Sequence, residues 1–246
     1  MRYLILSDIH SNQEALVAAL ARASGTWDQI LCLGDIVGYG ADPNACVEFV
    51  REEAKHFVRG NHDKACAGLD DLEWFNAAAR ASAMWTQEKL TNENLEWLRD
   101  LPKGPILLGG FQILHGSPLD EDEYLLQAQD ARQLIGYLDT PLSFFGHTHI
   151  QGGFMLHRNG VMRIPAVPGE DETMEVELEK DAFYLINPGS IGQPRDGDPR
   201  AAYAIYDDEQ RLMQYVRVPY DIPAAQAKIR AASLPEILAR RLGIGQ

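Results

Sequence analysis

Residues 3 to 6 form a short apolar run closed off by Ser7 and Asp8, a pattern that suits a strand buried on both faces. Asn12 then stands where it caps a helix with Leu16, Leu20 and Ala23 as its apolar stripe. The alternation repeats. Residues 30 to 33 read as a second strand, Pro43 opens a helix carrying Val47 and Val50, and residues 56 to 58 read as a third strand. The strand ends at Asp8, Asp35 and Asn61 recur at a spacing close to the roughly 30 residues of a right-handed βαβ unit. From Leu72 to Asp100 the pattern is helical, with Thr91 capping a stripe of Leu95 and Leu98, until Pro102-Lys103-Gly104-Pro105 stops it.

Strands resume at residues 106 to 108 and 111 to 114, around the two-residue hairpin signal Gly109-Gly110. A helix through Leu134 and Leu138 leads to a strand at 142 to 145. The second half then turns antiparallel, with a hairpin at Asn159-Gly160 and a strand in which Met174, Val176 and Leu178 alternate with Glu175, Glu177 and Glu179. That glutamate row reads as a solvated edge. Further strands fit 183 to 186, 201 to 206 and 212 to 218, and short helices fit 222 to 232 and 235 to 242. With no repeat, low-complexity tract or linker, residues 1–246 are expected to form one α/β domain with two sheets wrapped by helices.

Composition narrows the partners. The chain carries 22 Lys+Arg against 36 Asp+Glu, a formal net charge of −14, so a long nucleic acid and an anionic membrane surface are both disfavoured. Cys32, Cys46 and Cys66 form no C-x-x-C pair and read as buried thiols of a reducing compartment. The apolar start is too short for a signal-peptide core, and no run reaches bilayer length, so a cytoplasmic location is expected.

The chemistry gathers at the carboxyl ends of the expected strands, where α/β sheets place their sites: Ser7-Asp8-Ile9-His10, Gly34-Asp35, Gly60-Asn61-His62-Asp63, His115-Gly116 and Gly146-His147-Thr148-His149. Each has a bland explanation alone, as a cap, a core histidine or a loop residue. Together they place five of the chain's 7 histidines with carboxylates and an amide at five separate strand ends. Imidazole mixed with carboxylate suits borderline divalent ions such as manganese, iron, zinc, cobalt or nickel. Seven ligands exceed one tetrahedral ion but fit two ions sharing a carboxylate, the arrangement used for in-line displacement at phosphorus. Gly34, Gly60 and Gly146 are expected to permit the tight turns that bring these side chains inward.

The ordered set D-x-H, GD, GNHD, H and GHTH, spanning residues 8 to 149, resembles the calcineurin-like metallophosphoesterase superfamily. The resemblance implies a four-layer αββα sandwich, two mixed β-sheets flanked by helices. It implies that Asp8, His10 and His149 hold a first metal, that Asn61, His115 and His147 hold a second, and that Asp35 bridges them. It further implies a hydroxide between the metals as nucleophile, His62 assisting the leaving group or the charge on phosphorus, and Asp63 orienting His62.

The protein-phosphatase branch reads GDxVDRG and GNHE, whereas this chain has Gly34-Asp35-Ile36-Val37-Gly38-Tyr39-Gly40 and ends its motif in Asp63. The missing arginine makes it look more like small bacterial and archaeal phosphodiesterases, some of which resemble diadenosine-polyphosphate hydrolases. Phosphate contacts then fall to Arg195, on the turn-rich loop 187–197, or to Arg200, with a purely structural turn the equal alternative. Tyr39 is assigned to packing, and His56 and His157 to ordinary strand or surface positions. Three classes remain: an esterase for small phosphodiesters, cyclic nucleotides or dinucleoside polyphosphates, with phosphoprotein or phosphomonoester substrates as the alternative; a nuclease; and a non-catalytic scaffold. The acidic balance speaks against the second, and the complete ligand set with His62 against the third. A homo-oligomer is neither required nor forbidden.

Overall fold

The computed structural model describes residues 1–246. Its first sheet is built from β1 (Arg2–Leu6), β2 (Gln29–Cys32), β3 (Ala54–Phe57), β9 (Thr173–Glu177), β11 (Ala201–Asp207) and β12 (Leu212–Val218), in the order β3-β2-β1-β11-β12-β9. β1, β2 and β3 are parallel, and β11, β12 and β9 continue antiparallel. The second sheet contains β4 (Ile106–Leu108), β5 (Phe111–Ile113), β6 (Leu142–Phe144), β7 (Gly152–His157), β8 (Gly160–Ile164) and β10 (Phe183–Asn187), in the order β4-β5-β6-β10-β7-β8. Here β5, β6 and β10 are parallel, so the expected switch to an antiparallel second half is corrected: parallel pairing recurs there and both sheets are mixed. The reason is that residues 114–141, which include a short helix, carry the chain across between β5 and β6.

Alternation along the strands sorts the core into layers. Leu4 and Leu6 of β1 pack outward with Leu16 and Ala19 of α1 (Gln13–Ala23) and with Val47 and Val50 of α2 (Pro43–Glu53). Ile5 points the other way, joining Leu31 of β2, Phe111, Ile113, Phe144 and Tyr184 between the sheets. The far face of the second sheet is covered by Ala131 and Leu134, in and just beyond α6 (Ala128–Gln133). This is the four-layer αββα sandwich, with a much thinner helical layer on the second sheet than on the first.

Several expected bounds shift. The helical stretch expected from Leu72 starts only at α4 (Ala77–Lys89), because the Asn76 side chain accepts from the Ala78 and Ala79 amides and so caps it there. It then breaks before α5 (Asn92–Arg99), which Thr91 caps as expected. The helix expected through Leu138 ends at Gln133 and passes into a single 3₁₀ turn, Ile135–Tyr137. The third strand begins at Ala54, directly off α2. The glutamate-lined strand is β9, at the edge of the first sheet with Glu175 and Glu177 exposed. The C-terminal helices α7 (Ile222–Ala231) and α8 (Glu236–Leu242) pack together over Tyr39. All three cysteines are free and buried. No helix is long and apolar enough to cross a membrane.

A buried polar node joins the sheets beside their carboxyl ends. Arg217 on β12, only 1% exposed, donates to Gln151 Oε1 at 3.0 Å and pairs with Asp196, while Gln151 Nε2 donates to the carbonyls of Pro188 and Val216, both at 3.2 Å. Replacing Arg217 with Met strands the Asp196 carboxylate away from water, a change expected to cost about 3–5 kcal/mol in urea unfolding. A loss below about 1 kcal/mol would show that Asp196 finds water instead.

Candidate metal centre

The carboxyl ends of β1, β2 and β3 meet those of β5 and β6 at the seam of the two sheets. Backbone bonds lace the five loops together: Asp8 N donates to the Gly34 carbonyl at 3.0 Å, His10 N to Asp35 at 3.0 Å, and Gly146 N to His115 at 2.8 Å. The turns are sharp. Asp8, His10, Asp35, His147 and His149 all hold left-handed φ angles between 49° and 64°. Such backbone costs on the order of 1 kcal/mol or more per residue, which neighbouring structure must offset. Gly34, at φ 93°, permits the turn into Asp35, and Gly60 lies where a Cβ would collide with the Asp35 carboxylate.

This strained lacing aims lone pairs at one another. His10 donates from Nδ1 to the Val37 carbonyl at 3.0 Å, and His149 from Nδ1 to the Gln193 carbonyl at 2.6 Å. Each ring therefore keeps a bare Nε2, and the two face each other at 3.0 Å. With no electrophile between them this contact is repulsive. His115 likewise donates from Nδ1 to Leu33 at 2.7 Å, leaving Nε2 3.4 Å from Asn61 Oδ1. His147 is turned the other way, with Nε2 donating to the Asp122 carbonyl at 3.1 Å, so that Nδ1 is free. Between the groups lies Asp35, whose Oδ2 stands 3.5 Å from Nε2 of both His10 and His115. Asp8 Oδ2 is buried without a partner.

Asp8, His10, Asp35 and His149 present ligand atoms within 4.8 Å of one another, as do Asp35, His115 and His147. Nitrogen lone pairs, two carboxylates and an orphaned oxygen, all buried, are a donor set suited to divalent cations, so the residues fit the metals that the sequence pattern implies.

Burial and mutual charge set the protonation of the cluster's own groups. Burial pushes His10 and His149 well down and His147 down to about 3, so these rings are neutral and ready to coordinate. Burial raises Asp8 to about 7. Burial opposes protonation of His115, but the Asp35 carboxylate outweighs it and raises the ring to about 10, while Asp35 itself is held low by its histidines against the cost of burial.

His62, in contrast, points to the cleft, its ring 4.9 Å from that of His10, 4.3 Å from Tyr39 and 5.0 Å from Phe75. Its Nδ1 is buried without a partner against Gly38, where a Cβ would stand 2.6 Å away. A bare lone pair is far cheaper there than an unpaired N–H, so the ring proton sits on Nε2. Asp63 does not orient this ring. Its carboxylate accepts from the backbone amides of Ile36 at 2.8 Å, Val37 at 3.1 Å and Gly60 at 3.0 Å, because Asp63 is the third residue of α3 (Asn61–Cys66) and folds back over the helix start. The expected role is thereby corrected to holding the Asp35 loop against the Asn61 loop.

Arg195 lies beside the cluster, its guanidinium 5.7 Å from the Tyr39 ring and 3.2 Å from the Tyr39 hydroxyl. Arg200 does not reach it. Asp198 captures that guanidinium at 2.6 Å, with the carbonyls of Gly169 and Asp171 completing the grip, which withdraws it as a phosphate contact. The sequence pattern missed two contributors. Tyr39 packs, as expected, but on the rings of His10 and His62, and Tyr124 covers His147 at 3.8 Å. The Gly38-Tyr39-Gly40 setting was a readable hint for the first, whereas nothing in the acidic stretch 120–123 marks the second.

A profile of the calcineurin-like phosphoesterase superfamily domain matches residues 1–211. The chain belongs to this superfamily. As a calcineurin-like phosphoesterase it is a metal-dependent phosphoester hydrolase. It is 38% identical to an uncharacterized protein of Methanocaldococcus jannaschii, over 98% of this chain and 97% of that one. The crystal structure of a metallophosphoesterase from Sphaerobacter thermophilus superposes with a TM-score of 0.88 at 40% identity, covering 100% of this chain and 99% of that one. A hypothetical protein from Pyrococcus horikoshii shares the fold at 21% identity and a TM-score of 0.77, covering 100% and 98%.

In this phosphoesterase, metal loading is expected to release protons. Without metal, the site would hold at pH 7 a proton on His115 and part of one on Asp8, both of which a cation displaces. Calorimetry with manganese in buffers of different ionisation enthalpy is expected to show one to two protons released at pH 7, and affinity rising from pH 6 to 9. Since the folded pKa of His115 lies above its unfolded value, its stabilisation is complete below about 6.5 and is lost towards about 10. The metal-free protein is therefore expected to lose stability between pH 7 and 9, and the manganese form to keep it. Proton uptake on binding would contradict this charge state.

Proposed function

We propose that the protein hydrolyses small phosphodiesters or dinucleoside polyphosphates at a centre of two divalent transition-metal ions. The observation that carries the reading is the Asp35 carboxylate, with one oxygen equidistant, at 3.5 Å, from imidazole nitrogens on the two flanks of the cluster. Asp8, His10 and His149 would hold one ion and Asn61, His115 and His147 the other, with Asp35 shared. When bound, such ions supply a deprotonated water at neutral pH and neutralise the phosphoryl oxygens.

The protein's own groups do the remainder. The His62 Nε2–H, aimed into the cleft, donates to the ester oxygen as the bond to phosphorus breaks and charge collects there. Burial lowers the His62 pKa to about 4, so the ring is neutral throughout the physiological range and acts as a fixed hydrogen-bond donor. Arg195, held beside the cluster by Tyr39, neutralises a non-reacting phosphoryl oxygen. Asp63 keeps the Asp35 and Asn61 loops in register, and Tyr39 and Phe75 wall the His62 ring against rotation. The acidic surface, at −14, favours small substrates over nucleic-acid chains.

Hydrolysis of bis-p-nitrophenyl phosphate by the manganese form tests this. His62→Ala is expected to lower kcat by about 10²–10³-fold with unchanged metal content, and Asp35→Asn to lose both metal and turnover. With His62 neutral above about pH 5, the wild-type pH–rate profile between 5.5 and 9 is expected to carry no step that His62→Ala removes. Full activity in both variants would sink the reading.

A further inference from the structure

The cleft into which His62 points has a volume of about 430 Å³, and its outer part carries no role assigned above. Asn61, His62 and His147 form its inner end, and Trp74, Phe75 and Tyr124 its aromatic walls. Trp74 is 90% exposed and Tyr124 47%, a large area of unpaid aromatic surface for one short stretch of a cleft. Neither is a loose end. Arg80 ties down the Trp74 segment by donating to the carbonyls of Leu72 at 2.9 Å and Glu73 at 3.0 Å, and Tyr124 lies on the His147 ring at 3.8 Å. The indole and the phenol are thus presented by two separately braced loops.

The charge of this cleft is opposite to that of a phosphate subsite. Asp70, Asp71 and Asp122 line it, and no lysine or arginine does. The nearest cation behind the wall, Lys64, is already shared among Asp70 at 3.1 Å, Asp122 at 2.7 Å and Glu121 at 3.5 Å, and Arg59 is spent on Glu121 at 2.8 Å. Apart from the ligand cluster itself, Arg195 is the one cation near the inner end, set between Tyr39 and Tyr124, which both line the cleft, where it can meet a single phosphate. A chain of further phosphates extending outward would meet the Asp71 carboxylate and the Lys64-paired carboxylates of Asp70 and Asp122, with no free cation to receive it. A flat ring with amino groups would meet two stacking faces and a row of acceptors.

We propose that this cleft receives a planar aromatic ring system bearing hydrogen-bond donors and carried on a single phosphate, as in a nucleoside monophosphate ester. Trp74 and Tyr124 are its stacking faces, and Asp71, whose Oδ2 is not engaged by the protein, accepts from its amino groups. The proposal rests on the phosphoesterase reading above and narrows it, selecting small nucleoside phosphodiesters over dinucleoside polyphosphates.

Calorimetry on the manganese-loaded protein with AMP, ribose 5-phosphate and the manganese complex of ADP reads the cleft without depending on turnover. AMP is expected to bind at least about tenfold tighter than ribose 5-phosphate, and the ADP complex no tighter than AMP. Trp74→Ala is expected to bring AMP down to the ribose 5-phosphate level, while Trp74→Phe keeps most of the preference. Ribose 5-phosphate binding then serves as the check that the inner end is intact. Equal binding of AMP and ribose 5-phosphate, a preference that survives Trp74→Ala, or an ADP complex more than tenfold tighter than AMP would each overturn the proposal. Absence of bis-p-nitrophenyl phosphate hydrolysis with the AMP preference intact would instead remove the enzymatic reading and leave the cleft assignment standing.

Discussion

Two imidazole Nε2 atoms, each left without a proton because a carbonyl behind the ring holds the proton on Nδ1, face each other at 3.0 Å in a buried seam. In a medium of low dielectric that opposition is unfavourable until a positive charge enters it. The rest of the centre is arranged around the same demand. Asp8 leaves an oxygen without a partner, Asp35 is split between two flanks, and His147 is turned by the Asp122 carbonyl so that its other nitrogen faces inward. Were these groups left to find their own partners, Asp8 and the histidines would satisfy one another and the polarity of the seam would vanish.

Such convergence is costly for the backbone, and the sandwich meets the cost by rigidity. Five candidate ligand residues sit in left-handed conformations within a residue or a few of a strand end, each tied to a neighbouring loop by an amide. Two sheets packed through Ile5, Leu31, Phe144 and Tyr184 fix where those strand ends lie. The Arg217–Gln151–Asp196 node then closes the seam from the antiparallel side. The left-handed turns persist because the strands on which they sit cannot move apart to relieve them.

The polar clusters at strand ends were legible because ligands following short buried strands leave a sharp boundary between apolar and polar text, as at Leu6 to Asp8 and Phe144 to His147. What lay hidden was direction. Asp63 follows His62 in sequence, but one turn of α3 sends its carboxylate back onto the amides of Gly60, Ile36 and Val37 while the ring goes to the cleft. Leu72 and Phe75 carry helical spacing, but the helix waits for the Asn76 cap, and the residues before it shape the cleft wall. Arg195 and Arg200 are both phosphate-contact candidates along the chain, the first ahead of the second, and Asp198, two residues from the second, withdraws it. Each of these depends on a side chain choosing between a local backbone group and a distant site, which periodicity cannot rank.

The loop that carries Tyr124 also supplies the Asp122 carbonyl that sets the tautomer of His147, and the Arg59–Glu121 pair pins it to the segment just before Asn61. One piece of chain therefore touches both the outer cleft and the inner cluster. Anything that settles against the phenol also steadies the carbonyl, and anything that draws on the His147 lone pair steadies the loop. Any effect of filling one place on the other would, by linkage, act equally in the reverse direction. The loop at 121–124 is thus the one stretch whose displacement would disturb the His147 ring and the mouth of the cleft at once.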